Sequence, residues 1–376
     1  MSTFYRYILK PVLFLFEPEF IHDVFIFLGE MLGKFWITRK VVGLVYGFNL
    51  NASSRSVSNS GRTCDISKIV DGIKYRTPIL LAAGFDYNGR LTNILSHVGF
   101  GGEEVGSVTA HPCEGNPKPR MTRLPKSQSI IVNKGLRNEG VDAIIMRLKN
   151  AGVGRKNGAL TTVGDTEVVS KFVVGVSIAR TNSPKTAPLE SAVDDYAYSL
   201  KRLIEEGIGD YYTINISCPN AFGGEAFTKP ELLTNLLAKL VTIPCTKPIY
   251  VKMPINLPWD EFNKLLKIID FYKLQGVIIG NLNKDYESIG QHCEVPDEYA
   301  GGLSGAPCNK LSSELIRKTR QAYGKRFTII GVGGIFSAAD AREKFDAGAD
   351  LVQLITGMIY EGPGLIREIC NDLAKK

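Results

Sequence analysis

The sequence predicts an α/β protein, a (β/α)8 TIM barrel preceded by a small N-terminal helical membrane-associating domain. Two observations predict the barrel. Eight strand-like runs alternate with helical patterns over about 300 residues, which is the pattern of this fold. Several runs also end in glycine or polar residues, so the mouth of the barrel would be ringed with groups that bind ligands. The runs are Ile79–Ala82, Glu103–Val108, Phe172–Ile178, Tyr212–Ile216, Ile249–Lys252, Gly276–Ile279, Thr328–Val332 and Leu351–Leu354.

Length and composition agree with this architecture. The chain has 376 residues, 44% of them hydrophobic and 22% charged, enough for one large barrel and a small appendage. The formal charge of +7 is spread along the chain. Because the basic residues form no stripe, this positive charge fits a small anionic substrate or a membrane surface better than nucleic acid. The seven cysteines show no Cys-x-x-Cys pair or zinc spacing, so we expect a reducing compartment and no metal site.

Residues 1–45 predict the helical domain. An aromatic, apolar stretch from Phe4 to Phe16 is interrupted at Glu17-Pro18-Glu19, and a second run from Phe20 to Trp36 has the spacing of one apolar helix face. Charged residues break both runs too often for a bilayer span, which needs ~20 apolar residues. We predict two short helices lying in the membrane interface. The alternative is a helical hairpin that caps the barrel of a soluble enzyme.

A polar linker over residues 46–65 separates this domain from a barrel over residues 66–376. At the start of the second part, Asp71-Gly72 lies between two β-like runs. This dipeptide predicts a small hairpin before the first barrel strand.

The fourth run leads directly into Asn215-Ile216-Ser217-Cys218-Pro219-Asn220. The carboxyl end of a barrel strand is where catalytic groups lie in this fold. We therefore predict that Cys218 is a catalytic base and that Asn215 and Asn220 hold a planar, polar substrate. The alternative is a buried structural thiol flanked by turn-forming asparagines.

Three further strand ends predict a phosphate-bearing, flavin-like ligand. Gly331-Val332-Gly333-Gly334 follows the seventh run and precedes a helical pattern, where backbone N–H groups could approach a phosphate, and Leu351–Gly357 would complete the site. Lys252 closes the fifth run. A lysine in a barrel mouth requires an anion or an electron-rich ring, such as the N1/O2 edge of a reduced flavin. Ordinary tight turns, and a lysine that reaches solvent, are the alternatives.

These motifs together resemble the dihydroorotate dehydrogenase family. The N-terminal segment Phe16–His22 resembles the extension of its membrane-associated, quinone-dependent class 2. The resemblance implies an FMN-binding barrel with a tunnel for ubiquinone or menaquinone. The motifs that carry it are Ala82-Ala83-Gly84-Phe85-Asp86, Gly106-Ser107-Val108-Thr109, Glu114-Gly115-Asn116-Pro117-Lys118-Pro119-Arg120, Asn215–Asn220, Gly301-Gly302-Leu303-Ser304-Gly305 and the Gly331 run.

Site residues follow from the resemblance, with Cys218 as the base. His22 and Arg123 would border the quinone tunnel. The residues implied for the substrate are Asn215, Asn220, Asn281, Tyr87 and Asn133. Those implied for FMN are Ala83, Gly84, Ser107, Ser177, Asn215, Lys252, Gly280, Gly305, Gly334, Ile355 and Thr356.

The implied reaction is oxidation of dihydroorotate to orotate in pyrimidine (UMP) biosynthesis, with electrons passed to a membrane quinone. The base removes the C5 proton, which lies next to a carbonyl, while hydride leaves C6 for flavin N5. An ordinary thiol has a pKa of about 8.5 and must ionise to act as a base, so we expect the rate to rise with pH.

The sequence departs from class 2 at several positions. Cysteine replaces the serine base of that class, and Tyr87 replaces a lysine that would meet the flavin or the substrate carboxylate. Val132 stands where a substrate asparagine is expected. We expect Lys134 or Arg137 to supply the missing positive charge.

Three alternatives remain open from sequence. The same barrel and FMN could act on another dihydropyrimidine or an enone-like compound. A cysteine-dependent nucleotide barrel of the inosinate dehydrogenase type, without FMN, also carries Gly-x-Gly-Gly loops. A non-catalytic membrane-surface module is the third. Since no arginine-rich presequence precedes the helices, we expect a peripheral protein on the cytoplasmic face of a bacterial inner membrane, with the mitochondrial inner membrane as the alternative.

Overall fold

The computed structural model describes residues 2–48, 65–154, 172–222, 224, 226–292 and 295–375. The predicted linker falls largely on residues 49–64, outside the described residues, so the boundary between the two predicted domains stays a prediction. Cys64 and Cys293 also lie outside them.

Thirteen strands are present in the described residues. They are β1 Lys68–Val70, β2 Ile73–Tyr75, β3 Ile79–Leu81, β4 Gly102–Val108, β5 Met121–Leu124, β6 Ser129–Val132, β7 Val173–Ile178, β8 Tyr211–Asn215, β9 Ile249–Met253, β10 Gly276–Ile279, β11 Gly302–Gly305, β12 Thr328–Val332 and β13 Leu351–Leu354.

The α-helices surround the barrel or precede it. They are α1 Ser2–Phe4, α2 Lys10–Leu13, α3 Pro18–Lys34, α4 Trp36–Tyr46, α5 Thr92–Val98, α6 Val141–Asn150, α7 Leu189–Glu205, α8 Pro230–Leu240, α9 Trp259–Phe271, α10 Asn309–Tyr323, α11 Ala338–Ala347, α12 Thr356–Glu361 and α13 Gly364–Leu373.

Eight strands close into a parallel barrel in the order β3-β4-β7-β8-β9-β10-β12-β13. Every pairing around the ring is parallel. Each strand matches one predicted run to within one residue at either end. The closed parallel ring confirms the barrel prediction. The prediction was possible because strands covered on both faces are mostly apolar.

The amino-terminal end of the barrel is filled and capped. Tyr75, Tyr211 and Tyr250 are fully buried and pack with aliphatic side chains from several strands. The predicted hairpin is confirmed: β1 pairs with β2 around Asp71 and Gly72, whose φ angles are 48° and 77°. The Tyr250 hydroxyl donates to Asp71 Oδ2 at 2.6 Å, which fixes the hairpin against the barrel.

A three-stranded antiparallel sheet, in the order β11-β6-β5, was not predicted. Its strands have four residues each. Runs this short, set in long connections, give little periodicity to recognise. The sheet lies beside the barrel mouth, where Arg123 on β5 and Val132 on β6 contribute to the cavity described below.

The N-terminal region differs in detail from the two predicted helices. α1, a π-helical turn (Tyr5–Leu9) and α2 form the first helical segment. The second predicted run is divided, because Phe35 is extended (φ −107°, ψ 136°) between α3 and α4. Glu17, predicted only as an interruption, caps α3 by accepting from the N–H groups of Glu19 and Phe20. None of the helices in the described ranges has the length and apolar character needed to cross a bilayer.

Candidate active site

A cavity of about 460 Å³ joins the barrel mouth to the N-terminal helices. Its outer part is apolar and is lined by Leu13, Phe14, Ile21, Phe25 and Leu28 from the first helical segment, the loop after it and α3. Its inner part reaches the carboxyl ends of the barrel strands. One continuous space therefore leads from an apolar entrance to a polar floor.

Polar and glycine residues from successive strand ends line this inner part, as the sequence predicted. All of the following predicted residues line it: Ala83, Gly84, Tyr87, Ser107, Asn215, Cys218, Asn220, Lys252, Asn281, Ile355 and Thr356. They meet because parallel strands in a closed barrel end on one side.

Hydrogen-bonded side chains from three neighbouring strands form one polar edge of the cavity. Asn215 Nδ2 donates to Ser107 Oγ at 2.8 Å, and Ser107 Oγ lies 2.8 Å from Ser177 Oγ. Asn215 is also held through its backbone carbonyl, which accepts from the Tyr196 hydroxyl at 2.7 Å. The three side chains are buried. Ser177 thus acts behind Ser107 and does not itself line the cavity.

Lys252 lies next to Asn215 on the neighbouring strand and is 5% exposed. Burial lowers the pKa of its ammonium group, and the negative charges of Glu104 and Cys218 oppose this effect. Its Nζ has no hydrogen-bond partner among the described residues. A cation in this position favours an anionic or electron-rich ligand in the cavity.

The residues on both sides of Cys218 are fixed. Ser217 N donates to Asn215 Oδ1 at 3.2 Å, and Asn281 Nδ2 donates to the Ser217 carbonyl at 2.6 Å. Asn220 Nδ2 donates to the Val132 carbonyl at 2.8 Å. Cys218 itself is half-buried and faces the cavity. The loop therefore presents the thiol to the space that also contains Lys252.

Asn133 does not reach this cavity. It accepts a hydrogen bond from Asn116 Nδ2 at 2.8 Å and lines a second pocket, which is more open to solvent. Asn220 lines both spaces. The expected direct role of Asn133 at the substrate is therefore not supported by its position.

Three predicted glycines lie behind the cavity wall. A Cβ at Gly280 would lie 2.3 Å from the Val332 carbonyl oxygen. A Cβ at Gly305 would lie 2.9 Å from Thr356 Cγ2. Gly334, with φ +71°, would place a Cβ 2.4 Å from that of Asn309. At all three positions neighbouring atoms leave no room for a side chain.

Both residues expected at a quinone tunnel line the cavity. His22 Nε2 lies 2.8 Å from the Phe85 carbonyl oxygen. Arg123 donates to the Phe16 carbonyl at 2.8 Å and covers the ring of Phe14, with its Cζ 4.6 Å from the ring centroid.

Sequence reasoning missed a buried ionic cluster beside the cavity. Glu19 accepts hydrogen bonds from Arg120 and Arg137, and Lys118 and Lys134 lie within 4 Å of its carboxylate. The sequence marks Glu19 as part of a break in the apolar pattern and of the Phe16–His22 segment, but not as an ion-pair partner. No local signal marks it, because its partners are about a hundred positions away along the chain.

Comparison with known proteins agrees with this geometry. The family model described as "Dihydroorotate dehydrogenase" matches residues 66–376. A "Dihydroorotate dehydrogenase (quinone)" from Christiangramia forsetii is 37% identical over 376 residues, covering 99% of each chain. One from Acaryochloris marina is 35% identical over 381 residues, covering 99% of this chain and 95% of the relative.

Solved structures show the same architecture. The DHODH from Eimeria tenella in complex with ferulenol superposes with a TM-score of 0.76 at 25% identity, covering 95% of this chain and 90% of that one. The ligand-free form from the same organism gives 0.71, covering 90% and 93%. The inosinate dehydrogenase alternative is therefore excluded. With its barrel matched over residues 66–376 and relatives aligned across its whole length, this chain belongs to the dihydroorotate dehydrogenase family of oxidoreductases.

Proposed function

We propose that this protein is an FMN-dependent enzyme that oxidises dihydroorotate to orotate in pyrimidine biosynthesis and passes the electrons to a membrane quinone. The observation that carries the proposal is that one continuous cavity connects the barrel mouth to the N-terminal helices. Its polar floor holds Lys252, Asn215 and Cys218, and its apolar entrance is formed by the N-terminal helices.

The residues on the floor fit a flavin. The Lys252 ammonium is buried without a hydrogen-bond partner among the described residues, so a ring edge that accepts hydrogen bonds would satisfy it. Gly84, with φ +111°, leaves the cavity wall open, since a Cβ there would approach only Ile355, at 3.7 Å. We assign FMN contacts to Ala83, Gly84, Ser107, Asn215, Lys252, Ile355 and Thr356, with Gly305 and Gly334 shaping the phosphate end and Ser177 supporting Ser107.

The cavity also contains residues that fit the substrate. Asn215, Asn220 and Asn281 all line it, and carboxamide groups suit the carbonyl and N–H groups of a dihydropyrimidine. Cys218 takes the C5 proton onto its sulfur as the base. When bound, FMN supplies at N5 an acceptor for the hydride that leaves C6.

The apolar entrance fits a quinone. Residues from the first helical segment and α3 form its walls, and His22 and Arg123 provide polar groups where it meets the barrel. A ubiquinone or menaquinone could place its head group here and keep its tail among apolar side chains.

Membrane association follows from the outer surface of the same helices. Tyr7, Leu15, Phe20, Trp36 and Leu44 are each at least half exposed. Basic residues such as Lys10, Lys34 and Arg39 lie in the same region, where they could meet lipid headgroups. We propose a peripheral membrane protein whose quinone entrance opens towards the bilayer, at the cytoplasmic face of a bacterial inner membrane.

A second candidate keeps FMN but changes the substrate. It is favoured by Val132, which lines the cavity with an apolar side chain, and by Tyr87, which lines it with an aromatic one. Another dihydropyrimidine, without the carboxylate of dihydroorotate, is the substrate in this case.

The absorption spectrum tests these proposals. Purified protein should show a flavin band that anaerobic dihydroorotate bleaches and a soluble quinone restores. Bleaching by dihydrouracil but not by dihydroorotate would favour the second candidate. A colourless protein, or a flavin that no dihydropyrimidine bleaches, would contradict both and favour a non-catalytic module.

A further inference from the structure

Lys134 is a buried cation without a hydrogen-bond partner in the described part of the chain. It follows β6, its side chain is 4% exposed, and its Nζ makes no hydrogen bond. Lys134 lines the main cavity together with Cys218, Asn220 and Asn281. Lys134 therefore adjoins the space in which the substrate is proposed to bind, with its ammonium group buried in the wall.

The surroundings of Lys134 compensate its charge only in part. Glu19 Oε1 lies 3.9 Å from Nζ, within ion-pair range but too far for a hydrogen bond. Both oxygens of Glu19 already accept from Arg120, and Oε1 also accepts from Arg137. The ring of Tyr87 lies below the ammonium group, with its centroid 4.9 Å from Nζ. An aromatic face attracts the cation but accepts no strong hydrogen bond.

The cluster as a whole has an excess of positive charge. Four cations, Lys118, Arg120, Lys134 and Arg137, surround two carboxylates, Glu19 and Asp23. Of these cations, only Lys134 lines the cavity. Burial lowers its pKa to about 8, and Glu19 and Asp23 oppose the shift, so at neutral pH the group is still mainly protonated. An anion entering the cavity would supply the negative charge that the cluster lacks and the hydrogen-bond acceptors that Lys134 lacks.

We propose that Lys134 binds the carboxylate of the substrate and selects carboxylate-bearing dihydropyrimidines. The inference rests on the proposed function, since it assigns one group of that same substrate. Lys252 pairs in register with Asn215, where the flavin is proposed, so we assign the two buried lysines to different ligands. Tyr87 supports Lys134 through its ring and contributes no positive charge of its own.

Arg137 provides a matched control. It belongs to the same loop, carries the same charge and also pairs with Glu19, at 3.1 Å. Its side chain is 42% exposed, and it does not line the main cavity. Lys134→Met and Arg137→Met each remove one positive charge next to Glu19, but only the first removes it from the cavity wall.

The test compares ligands that differ only in the carboxylate. Dissociation constants for orotate and uracil are measured on purified flavin-containing protein, by perturbation of the flavin spectrum and by calorimetry. Lys134→Met should weaken orotate binding about 10- to 100-fold, the range for a hydrogen bond to a charged group. Lys134→Met should change the uracil constant by no more than about threefold. Arg137→Met should change neither the orotate nor the uracil constant by more than about threefold. Lys134→Arg should keep part of the preference for orotate over uracil.

Three results would count against the proposal. If the wild type binds orotate and Lys134→Met binds it equally well, the role of Lys134 is overturned but the proposed function is not. Equal losses for orotate and uracil would mean that Lys134 only supports the fold of the cavity. A wild-type protein that binds neither ligand would overturn the proposed function, and the role of Lys134 with it.

Discussion

The carboxylate of Glu19 accepts hydrogen bonds from both Nε and Nη2 of Arg120, at distances between 2.7 and 3.1 Å. The two side chains are only 2% and 8% exposed. Glu19 lies in the first turn of α3, and Arg120 immediately precedes β5 beside the barrel mouth. This buried pair therefore attaches the N-terminal helices, which form the apolar entrance, to the barrel, which carries the polar floor.

Loss of the Glu19 carboxylate should destabilise the protein. Glu19→Gln leaves Arg120 and Lys134 buried without their counter-charge, and we expect unfolding free energy to fall by about 3 kcal/mol. Denaturant titration at pH 7 measures this change. Glu30→Gln is the control, because Glu30 pairs with Arg90 in a more exposed position and should cost at most about 1 kcal/mol. Equal stability of Glu19→Gln and the wild type would show that the pair does not hold α3.

The same pair gives a pH dependence with a defined sign. Burial alone would raise the pKa of Glu19, but hydrogen bonds from Arg120 and the charge of Lys134 hold it below the ordinary value of 4.5. A lowered folded-state pKa stabilises the protein above about pH 4.5, and this contribution is lost as pH falls through the folded-state value. Between pH 7 and pH 3.5, the wild type should therefore lose more stability than Glu19→Gln. Parallel losses would contradict the assignment.

Replacement of Cys218 should affect the reductive half-reaction. A general base contributes about 10²- to 10⁴-fold, so Cys218→Ala should slow flavin bleaching by dihydroorotate by at least about a hundredfold. Orotate binding and flavin content should stay near wild type. Anaerobic stopped-flow absorbance measures the rate. Bleaching at the wild-type rate would show that another group removes the C5 proton.

The apolar entrance can be tested by two substitutions on one helix. Phe25 lines the cavity with its side chain 39% exposed, whereas Phe27, also on α3 and 55% exposed, does not line it. Phe25→Glu should lower the rate of soluble-quinone reduction about tenfold or more, because a hydrated carboxylate would replace part of the apolar wall of the passage. Phe27→Glu should leave that rate unchanged in detergent, and both variants should keep normal bleaching by dihydroorotate. Equal effects on quinone reduction would mean that the quinone uses another route.

The glycine loop after β12 should be needed for flavin binding. A Cβ at Gly334 would meet Asn309 and would sit at φ +71°, so Gly334→Ala should displace the backbone and weaken FMN binding about tenfold or more. Gly324→Ala is the control, since Gly324 also has positive φ (+54°) but a Cβ there meets nothing within 4 Å. Flavin content and reconstitution titrations measure the difference. A Gly334→Ala protein with full flavin content would contradict a close backbone approach at this loop.

Orotate binding should weaken at alkaline pH. Burial lowers the pKa of Lys134 to about 8, so the ammonium loses its proton, and its attraction for a carboxylate, as pH rises through that value. Two neighbours of Lys134 keep their charges over this range: the pKa of Asp23 is lowered to about 2, chiefly by its hydrogen bond to His22, and burial raises that of Tyr87. The Cys218 thiol, with an ordinary pKa of about 8.5, ionises in this range in both proteins, so the comparison with Lys134→Arg isolates the lysine. Spectral titration from pH 6 to 10 should show a larger loss of orotate affinity in the wild type than in Lys134→Arg. An identical profile in both proteins would contradict the role of Lys134.

The sequence alone determined the barrel, because parallel strands covered on both faces are mostly apolar and can be recognised locally. It also determined that polar groups such as Asn215 and Lys252 share one mouth, since all parallel strands of a closed barrel end on the same side. The Asp71-Gly72 hairpin was predictable for a similar reason, because the turn depends on its own two residues.

Only the tertiary structure decided how the N-terminal helices are attached and which cation faces the cavity. Glu19 and Arg120 are 101 positions apart, and nothing near either residue indicates the other. Lys134 and Arg137 were equivalent candidates in sequence, but the fold buries one against Tyr87 and leaves the other partly in solvent. Burial and long-range pairing depend on how distant segments pack, which local sequence patterns do not encode.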